Sequence, residues 1–296
     1  GDGSSRPDRP ERPGQRGMTM VDFDYTRPRT LDEALALLAA HPEARPLAGG
    51  QTLLPTLKQR LARPTLLVDL QALGELRGIS IDDGAVSIGA MTRHAETASH
   101  PGLAAAIPAL AFLAGGIAHP QVRHMGTMGG SISNNDPAAD YPAALLGLGA
   151  TVVTNHRQIA ADAFFTGLFS TALEPGELVL RIRFPVPRRA GYCKLANPAS
   201  GYVTTGCFIA ETATATVRVA VNGAGPCVFR LAALEQALAA DFSAAALAGF
   251  RAGPQGLNSD LHATAAYRAQ LIGVAARRAL AMALQPPVGT ATPLAA

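Results

Sequence analysis

The sequence contains two glycine turns, far apart along the chain, whose residues are suited to binding phosphate groups. They are Leu47-Ala48-Gly49-Gly50-Gln51-Thr52-Leu53 and Thr127-Met128-Gly129-Gly130-Ser131. Glycine adopts positive φ and lets the backbone approach a ligand with no Cβ in the way. Exposed backbone N–H groups at such turns bind phosphate oxygens, and neighbouring hydroxyls add donors. One such turn could simply join a strand to a helix, but two together predict a large phosphorylated cofactor held between two lobes.

Sequence signals predict the elements that carry the first turn. Thr30 and Glu33 form a capping box, so a helix is expected from Leu31 until His41-Pro42 ends it. A short strand should then lead into the glycine turn. The further elements predicted in this region are a helix from Thr52 to about Leu61 and a buried strand over Leu66 to Leu70.

Two further regions follow the first. Asp136 before Pro137 is typical of the N-cap and N1 residues of a helix, which predicts a helix to about Leu148. The other elements predicted in the second region are a strand over Ala85 to Ile88, a helix over Leu103 to Leu113, and strands over Thr151 to Thr154 and Leu178 to Phe184. In the third region, alanine-rich helices through about Leu284 follow the β-prone runs Tyr192 to Leu195, Tyr202 to Ile209 and Thr214 to Val221.

The order of these elements predicts an α/β (α+β) chain of three lobes. Their expected ranges are 18–75, 76–187 and 188–296, with Pro185 and Pro187 marking the linker before the last lobe. Residues 1–17 are rich in Pro, Arg and Gly and lack an apolar stretch, so a disordered extension is expected there.

Composition argues against several classes of protein. With 48% hydrophobic and 16% charged residues, the chain has the composition of a globular protein. A net charge of +3, without a basic stripe interleaved with aromatic residues, argues against a nucleic-acid partner. The apolar segments are interrupted before they reach the roughly 18 residues of a membrane span.

The cysteines and histidines do not predict a metal site. Cys193, Cys207 and Cys227 are odd in number and lack close metal-ligand spacing, so we expect reduced thiols in a cytoplasmic protein. The histidines considered, which are spaced irregularly and are expected to have satisfied polar roles, are His94, His100, His119 and His124.

Both glycine turns resemble those of the FAD-binding medium subunit of the molybdenum hydroxylases, the family of xanthine dehydrogenase, carbon monoxide dehydrogenase and aldehyde oxidoreductase complexes. Further segments similar to that family are Phe23-Asp24-Tyr25-Thr26-Arg27-Pro28, Leu61-Ala62-Arg63-Pro64, Leu67-Val68-Asp69-Leu70 and Ala266-Tyr267-Arg268. The resemblance runs from about Phe23 to about Leu280. It implies a two-lobed FAD-binding fold of the PCMH type, followed by a small C-terminal domain of a sheet and helices.

The resemblance also implies which residues would bind FAD. Both turns would hold the diphosphate, and Asp140 would face the ribose or ribityl hydroxyls, unless it only compensates a helix dipole. Lys194 would place a cation near the flavin ring, where it would favour the reduced anionic flavin, unless it is an exposed strand lysine. Tyr192 would line the open face of the ring, and Ile117 stands where some relatives have an aromatic residue.

By the same resemblance, the chain is expected to be an electron-transfer subunit with no catalytic acid–base or nucleophilic residue of its own. It would relay electrons from [2Fe-2S] clusters of a small subunit, through FAD, to an external acceptor. Hydroxylation would occur at the molybdenum cofactor of a large molybdopterin-binding subunit, in a heterotrimer or its dimer. The alternatives are a self-sufficient FAD-dependent oxidase with its own substrate pocket, and a non-catalytic module on a degenerate flavin fold, against which the intact glycines argue.

Overall fold

The computed structural model describes residues 22–285, in which three main sheets follow one another along the chain. The predicted extension at residues 1–17 lies outside the described residues, as do residues 286–296. The first sheet falls within residues 24–69, the second within 79–185 and the third within 189–230. The three predicted domain ranges stay a proposal, and this distribution of sheets agrees with it.

The first lobe is a small parallel sheet with two helices. Its elements are β1 (Asp24–Thr26), α1 (Leu31–Ala40), β2 (Ala44–Leu47), α2 (Leu53–Lys58) and β3 (Leu66–Asp69). The strands lie in the order β1-β3-β2, and both pairs are parallel. A separate core of aliphatic side chains from α1, β2 and β3 holds this lobe together.

The start of α1 confirms the predicted helix but uses only half of the capping box. The Thr30 hydroxyl accepts a hydrogen bond from the Glu33 backbone N–H at 3.2 Å. The Glu33 carboxylate, however, accepts from the backbone N–H of Arg29, and not from that of Thr30. Helix α2 ends at Lys58, three residues before the predicted Leu61, and Arg60 shortly beyond it has a positive φ of 58°.

The second lobe packs helices against a five-stranded antiparallel sheet of order β4-β5-β10-β6-β7. A two-stranded hairpin, β8-β9, lies beside it. The elements are β4 (Ile79–Asp82), β5 (Ala85–Gly89), α3 (His94–Ser99), α4 (Pro101–Ala106), α5 (Pro108–Gly115), α6 (Pro120–Arg123), α7 (Met128–Asn134), α8 (Tyr141–Leu148), β6 (Thr151–Thr154), β7 (Gln158–Ala160), α9 (Ala161–Phe164), β8 (Phe165–Gly167), β9 (Ser170–Thr171) and β10 (Val179–Pro185).

Proline changes two of the predicted helices in this lobe. The predicted helix over Leu103 to Leu113 is two helices, because Pro108 lacks an N–H and starts α5 after a break at Ile107. The helix predicted from Asp136-Pro137 is wrong at its start, since α8 begins at Tyr141.

The segment before α8 is a turn tied to the third sheet. The Asp136 carboxylate accepts from the backbone N–H of Ala138 at 2.8 Å, and the Pro137 carbonyl accepts from the N–H of Gly223 at 2.8 Å. Asp140 and Pro142 form a second helix-start signal of the same kind, an aspartate at the N-cap followed by a proline in the first turn. Asp140, rather than Asp136, therefore stands at the N-cap position, although its side chain makes no capping hydrogen bond.

The third sheet is antiparallel, of order β11-β12-β13-β14, and is covered by two helices. Its elements are β11 (Arg189–Ala196), β12 (Val203–Glu211), β13 (Val217–Asn222), β14 (Phe229–Arg230), α10 (Ala232–Ala240) and α11 (Ala265–Ala283). Single 3-10 turns occur at Leu70–Ala72, Gly74–Leu76 and Ala244–Leu247.

Strand β12 is buried on both faces, because its alternate side chains pack into two different cores. Cys207 and Ile209 pack with the two C-terminal helices, whereas Phe208 and Ala210 join the large core of the second lobe. Because successive strand residues point to opposite faces, one strand belongs to two cores. In β11, Tyr192 likewise points to the second lobe, while Cys193 packs with the C-terminal helices.

We predict that Gly191→Ala destabilises the third lobe. A Cβ at Gly191 would come within 2.0 Å of the Ala279 carbonyl oxygen in α11, so the helix would have to move away from the sheet. Overpacking of this kind costs about 1–3 kcal/mol. Thermal unfolding followed by circular dichroism should show a lower midpoint for this variant. The control is Gly249→Ala, where a Cβ would meet no atom within 4 Å; equal midpoints for the two variants would contradict the prediction.

Candidate cofactor-binding cleft

The two glycine turns meet, and both line a cleft between the first two lobes. Strand β2 delivers the chain to Gly49, where an added Cβ would lie 2.0 Å from the Met125 carbonyl oxygen. Gly50 has a positive φ of 72°, which glycine adopts without strain. At Gly130 an added Cβ would lie 3.5 Å from the Cβ of Ala48. The glycines therefore allow the backbones of two lobes to touch.

The first turn keeps its backbone N–H groups free within the described residues. The N–H groups of Gly49, Gly50, Gln51 and Thr52 make no hydrogen bond there, because β2 has ended and α2 has only begun. Adjacent free amides of this kind form an anion-binding concavity. This observation agrees with the predicted role of the first turn in holding a diphosphate.

The second turn uses its backbone N–H groups inside the protein, contrary to the prediction of two opposed sets of free amides. The Met128 and Gly129 N–H groups donate to the carbonyls of Thr92 and Ala90 at 3.1 and 2.8 Å. The Gly130 N–H donates to the Thr127 hydroxyl, which caps α7. What this turn presents to the cleft is a glycine surface and hydroxyl groups.

The cleft has a volume of about 490 Å³ and is lined by most of the residues predicted from the sequence. Those that line it are Ala48, Gly49, Gly50, Gln51, Thr52, Leu53, Ile117, Thr127, Gly129, Gly130, Ser131 and Asp140. Leu47 and Met128 are buried behind the turns. Tyr192 and Lys194 lie behind Asp140. Their assignment as FAD-binding residues stays a prediction.

Asp140 is held in place by side chains of the third sheet. Its carboxylate oxygens accept one hydrogen bond from the Tyr192 hydroxyl at 2.9 Å and one from the Lys194 ammonium at 3.1 Å. Asn222 donates from Nδ2 to the Ala139 carbonyl at 2.7 Å and to the Tyr192 hydroxyl at 3.3 Å. The strand alternation that turns Tyr192 toward the second lobe therefore also fixes the carboxylate at the cleft wall.

Burial is the main cause of the pKa shifts of Asp140 and Tyr192. Asp140 is 4% exposed, and burial raises its pKa to about 6, although the Lys194 cation and the two hydrogen bonds act in the opposite direction. Burial and the nearby Asp140 carboxylate raise the pKa of Tyr192, so the phenol stays protonated and donates. Tyr192 is only 2% exposed and does not form an open wall of the cleft.

Lys194 is neither an exposed strand lysine nor an unpaired cation. Besides its ion pair with Asp140, its ammonium donates to the Gly116 carbonyl at 2.9 Å, at the end of α5. The positive charge that was expected to act on a flavin ring is therefore partly neutralised by the ionised Asp140. Next to Gly116, the Arg123 guanidinium donates to the carbonyls of Ile117 and Ala118 and fixes the backbone that carries Ile117.

Sequence reasoning missed several residues of the cleft wall. His94 and Tyr202 line it, and so does Arg45 in β2. The expectation of a satisfied polar role for His94 is wrong, because its Nδ1 is buried without a hydrogen-bond partner. The glycine at position 126, against which the His94 ring lies, was the available signal for this close approach.

The cysteines, the side chains of the types that bind metals and the helices of the described residues test the predictions about disulfides, metal sites and membrane spans. Cys193, Cys207 and Cys227 are free thiols, as predicted. Within residues 22–285, no group of three or more His, Cys, Asp or Glu side chains is placed to hold a metal ion. In the same range, no helix combines the length and apolar character that a membrane crossing requires.

The fold and the cleft define a two-lobed binding protein for a large phosphorylated cofactor, and comparison with known proteins agrees. Residues 21–187 match the family described as the FAD binding domain in molybdopterin dehydrogenase. The 6-hydroxypseudooxynicotine dehydrogenase complex subunit alpha of Paenarthrobacter nicotinovorans is 34% identical over 90% of this chain and 96% of its own length. The carbon monoxide dehydrogenase medium chain of Afipia carboxidovorans is 42% identical over 64% of this chain and 69% of its own length.

Solved structures agree with these sequence matches. A carbon monoxide dehydrogenase structure from Hydrogenophaga pseudoflava is 34% identical with a TM-score of 0.81, over 90% of this chain and 98% of the matched one. Quinoline 2-oxidoreductase from Pseudomonas putida 86 gives a TM-score of 0.79 at 29% identity. The chain belongs to the family of FAD-binding subunits of the molybdenum hydroxylases.

The residues present fit FAD. The cleft volume lies within the roughly 300–1,000 Å³ of small-molecule sites. The free amides of the first turn suit the diphosphate. Each oxygen of the Asp140 carboxylate accepts one hydrogen bond and has a second lone pair for a sugar hydroxyl.

We predict that Gly49→Ala reduces both FAD retention and stability. The new methyl group would collide with the Met125 carbonyl, so the two turns would separate and the cleft that they line would change shape. Flavin absorbance per purified chain and the unfolding midpoint measure the two effects. Gly74→Ala is the matched control, since its Cβ would meet no atom within 4 Å. A variant that keeps a full complement of FAD would show that the turns need not touch.

We also predict a pH dependence of apoprotein stability that originates at Asp140. Its pKa is raised from 3.8 to about 6, so the native state binds a proton that the unfolded state releases between these pH values. This contribution is complete below about pH 4 and is lost as pH rises through 6, by on the order of 3 kcal/mol at most.

Denaturant unfolding of the wild type and Asp140→Asn from pH 4 to 7 measures this effect. The wild type should lose stability relative to the variant as pH rises. Lys194→Met should move the loss to higher pH, because the Lys194 cation lowers the pKa of Asp140. Parallel stability curves for wild type and Asp140→Asn would refute the assignment.

Proposed function

We propose that this chain is the FAD-carrying, electron-transfer subunit of a heteromeric molybdenum hydroxylase. In this proposal it receives electrons from [2Fe-2S] clusters of a small subunit and passes them to an external acceptor. A large molybdopterin-binding subunit carries out the hydroxylation, and the three chains form a heterotrimer or its dimer. The observation that carries the proposal is the meeting of two glycine turns at a cleft in a chain of this family.

The names of the relatives support a role shared across substrates. Medium chains or subunits of carbon monoxide dehydrogenase, glyceraldehyde dehydrogenase and nicotine 6-hydroxylase all match this chain, although their complexes act on different compounds. A cleft common to such relatives is better suited to a common cofactor than to any one substrate. We therefore place substrate recognition on the molybdopterin subunit.

The residues of this chain would hold the cofactor and set its surroundings. FAD, when bound, supplies the electron-transfer chemistry. The free amides from Gly49 to Thr52 would bind the diphosphate, and the Asp140 carboxylate would accept from a sugar hydroxyl. Lys194 and Tyr192 would keep that carboxylate in place. The free thiols support a cytoplasmic location as part of the proposal, since disulfides are rare in that compartment.

Anaerobic flavin bleaching tests the proposal. The purified chain should contain about one FAD, and a panel of aldehydes, purines and carbon monoxide should not reduce it. After assembly with the small and large subunits, the substrate of the complex should reduce the same flavin. Dithionite reduction of the lone chain is the positive control for a functional flavin.

Three outcomes would contradict the proposal or part of it. Rapid bleaching of the lone chain by an organic substrate would favour the self-sufficient oxidase. Failure of the chain to co-purify with co-expressed small and large subunits would argue against membership of a heteromeric complex. An apoprotein that cannot take up FAD would refute the cofactor assignment itself.

A further inference from the structure

His94 is a buried histidine in the wall of the cleft whose ring makes no hydrogen bond within the described residues. His94 is the first residue of helix α3 and is 5% exposed. Nδ1 is sealed from solvent without a partner. Nε2 is also unpaired, but it is not among the sealed atoms. Buried polar groups in native proteins are almost always hydrogen-bonded. Nδ1 is sealed and out of reach of a ligand, so Nε2 is the ring atom that can take a partner from outside the chain.

The surroundings of the ring fix its orientation at the second glycine turn. The His94 ring packs against Tyr141 with 5.2 Å between centroids. The His94 backbone N–H donates to the Gly126 carbonyl at 3.0 Å. An added Cβ at Gly126 would come within 2.6 Å of Nε2, so the ring occupies the space that a side chain at this position would need. The ring thus lies at the base of the turn that begins at Thr127.

The ring is neutral and carries one proton. Burial, with a smaller contribution from the Arg123 cation, lowers the pKa of His94 to about 4. A proton on Nδ1 would be enclosed without an acceptor, whereas Nε2 is not sealed and belongs to a residue that lines the cleft. The tautomer with Nε2–H is therefore favoured, and it offers a single hydrogen-bond donor to the cleft.

A hydrogen-bond donor at this place would supply what the backbone of the second turn does not offer to a ligand. The N–H groups of Met128, Gly129 and Gly130 donate within the protein, so this side of the cleft lacks the free amides of the first turn. We propose that His94 is a cofactor-binding residue whose Nε2–H donates to an oxygen of the FAD diphosphate. The proposal rests on the binding of FAD in this cleft. It assigns to a side chain the role that the backbone has at the opposite turn.

His94→Phe tests the proposal, because it keeps an aromatic ring against Tyr141 and removes both nitrogens. FAD and riboflavin affinities of the apoproteins are measured by flavin fluorescence titration, together with their unfolding midpoints. We expect FAD affinity to fall roughly ten- to a hundred-fold, as for a lost hydrogen bond to a charged group. Riboflavin affinity should not change, since riboflavin has no phosphate. The midpoint should not fall, because an unpaired buried nitrogen is removed.

The matched control is His41→Phe at the exposed end of α1, which should leave both affinities unchanged. Unchanged FAD affinity in His94→Phe would overturn the proposal, and so would equal losses for FAD and riboflavin. If His94→Phe does not fold, His94→Leu is measured in the same way, with the same two deciding outcomes. Failure of the wild type to bind FAD would instead refute the cofactor assignment of the family cleft.

Discussion

The contact between Gly49 and the Met125 carbonyl is the constraint on which the cleft depends. The first two lobes meet at this point through backbone atoms, because a Cβ on Gly49 would lie only 2.0 Å from the carbonyl oxygen. That approach sets the first turn, with its free amides, opposite the second turn, with its hydroxyls. The glycines therefore serve the packing of protein on protein at least as much as the approach of a ligand.

The third lobe contributes the side chains that hold Asp140 at the wall of the cleft. A strand buried on both faces gives the second lobe part of its core and also carries the side chains that fix Asp140. Gly206 leaves room for this arrangement, since a Cβ there would lie 2.2 Å from the Asn222 Oδ1 atom. The carboxylate, the phenol and the ammonium thus form one buried network, and the energies of its members are coupled.

Local signals in the sequence predict the elements well and the environment of side chains less well. The Thr30 cap, the strand before Gly49 and the presence of strand β12 follow from short-range rules. Asp136-Pro137 misleads because Asp140 and Pro142 repeat the same signal, and a contact with distant Gly223 decides between them. The pairing of Lys194 with Asp140 and the lack of a partner for His94 depend on chain segments that meet only in the folded protein.

The double burial of β12 has a consequence for how the chain can be divided. The family match ends at residue 187, but the covering of α8 comes from beyond that point, through Phe208 and Ala220. Every residue of α8 is buried. A fragment cut after Pro187 would expose this apolar helix to water and would tend to aggregate. The segment matched by the family model therefore leaves out side chains that cover its own buried helix.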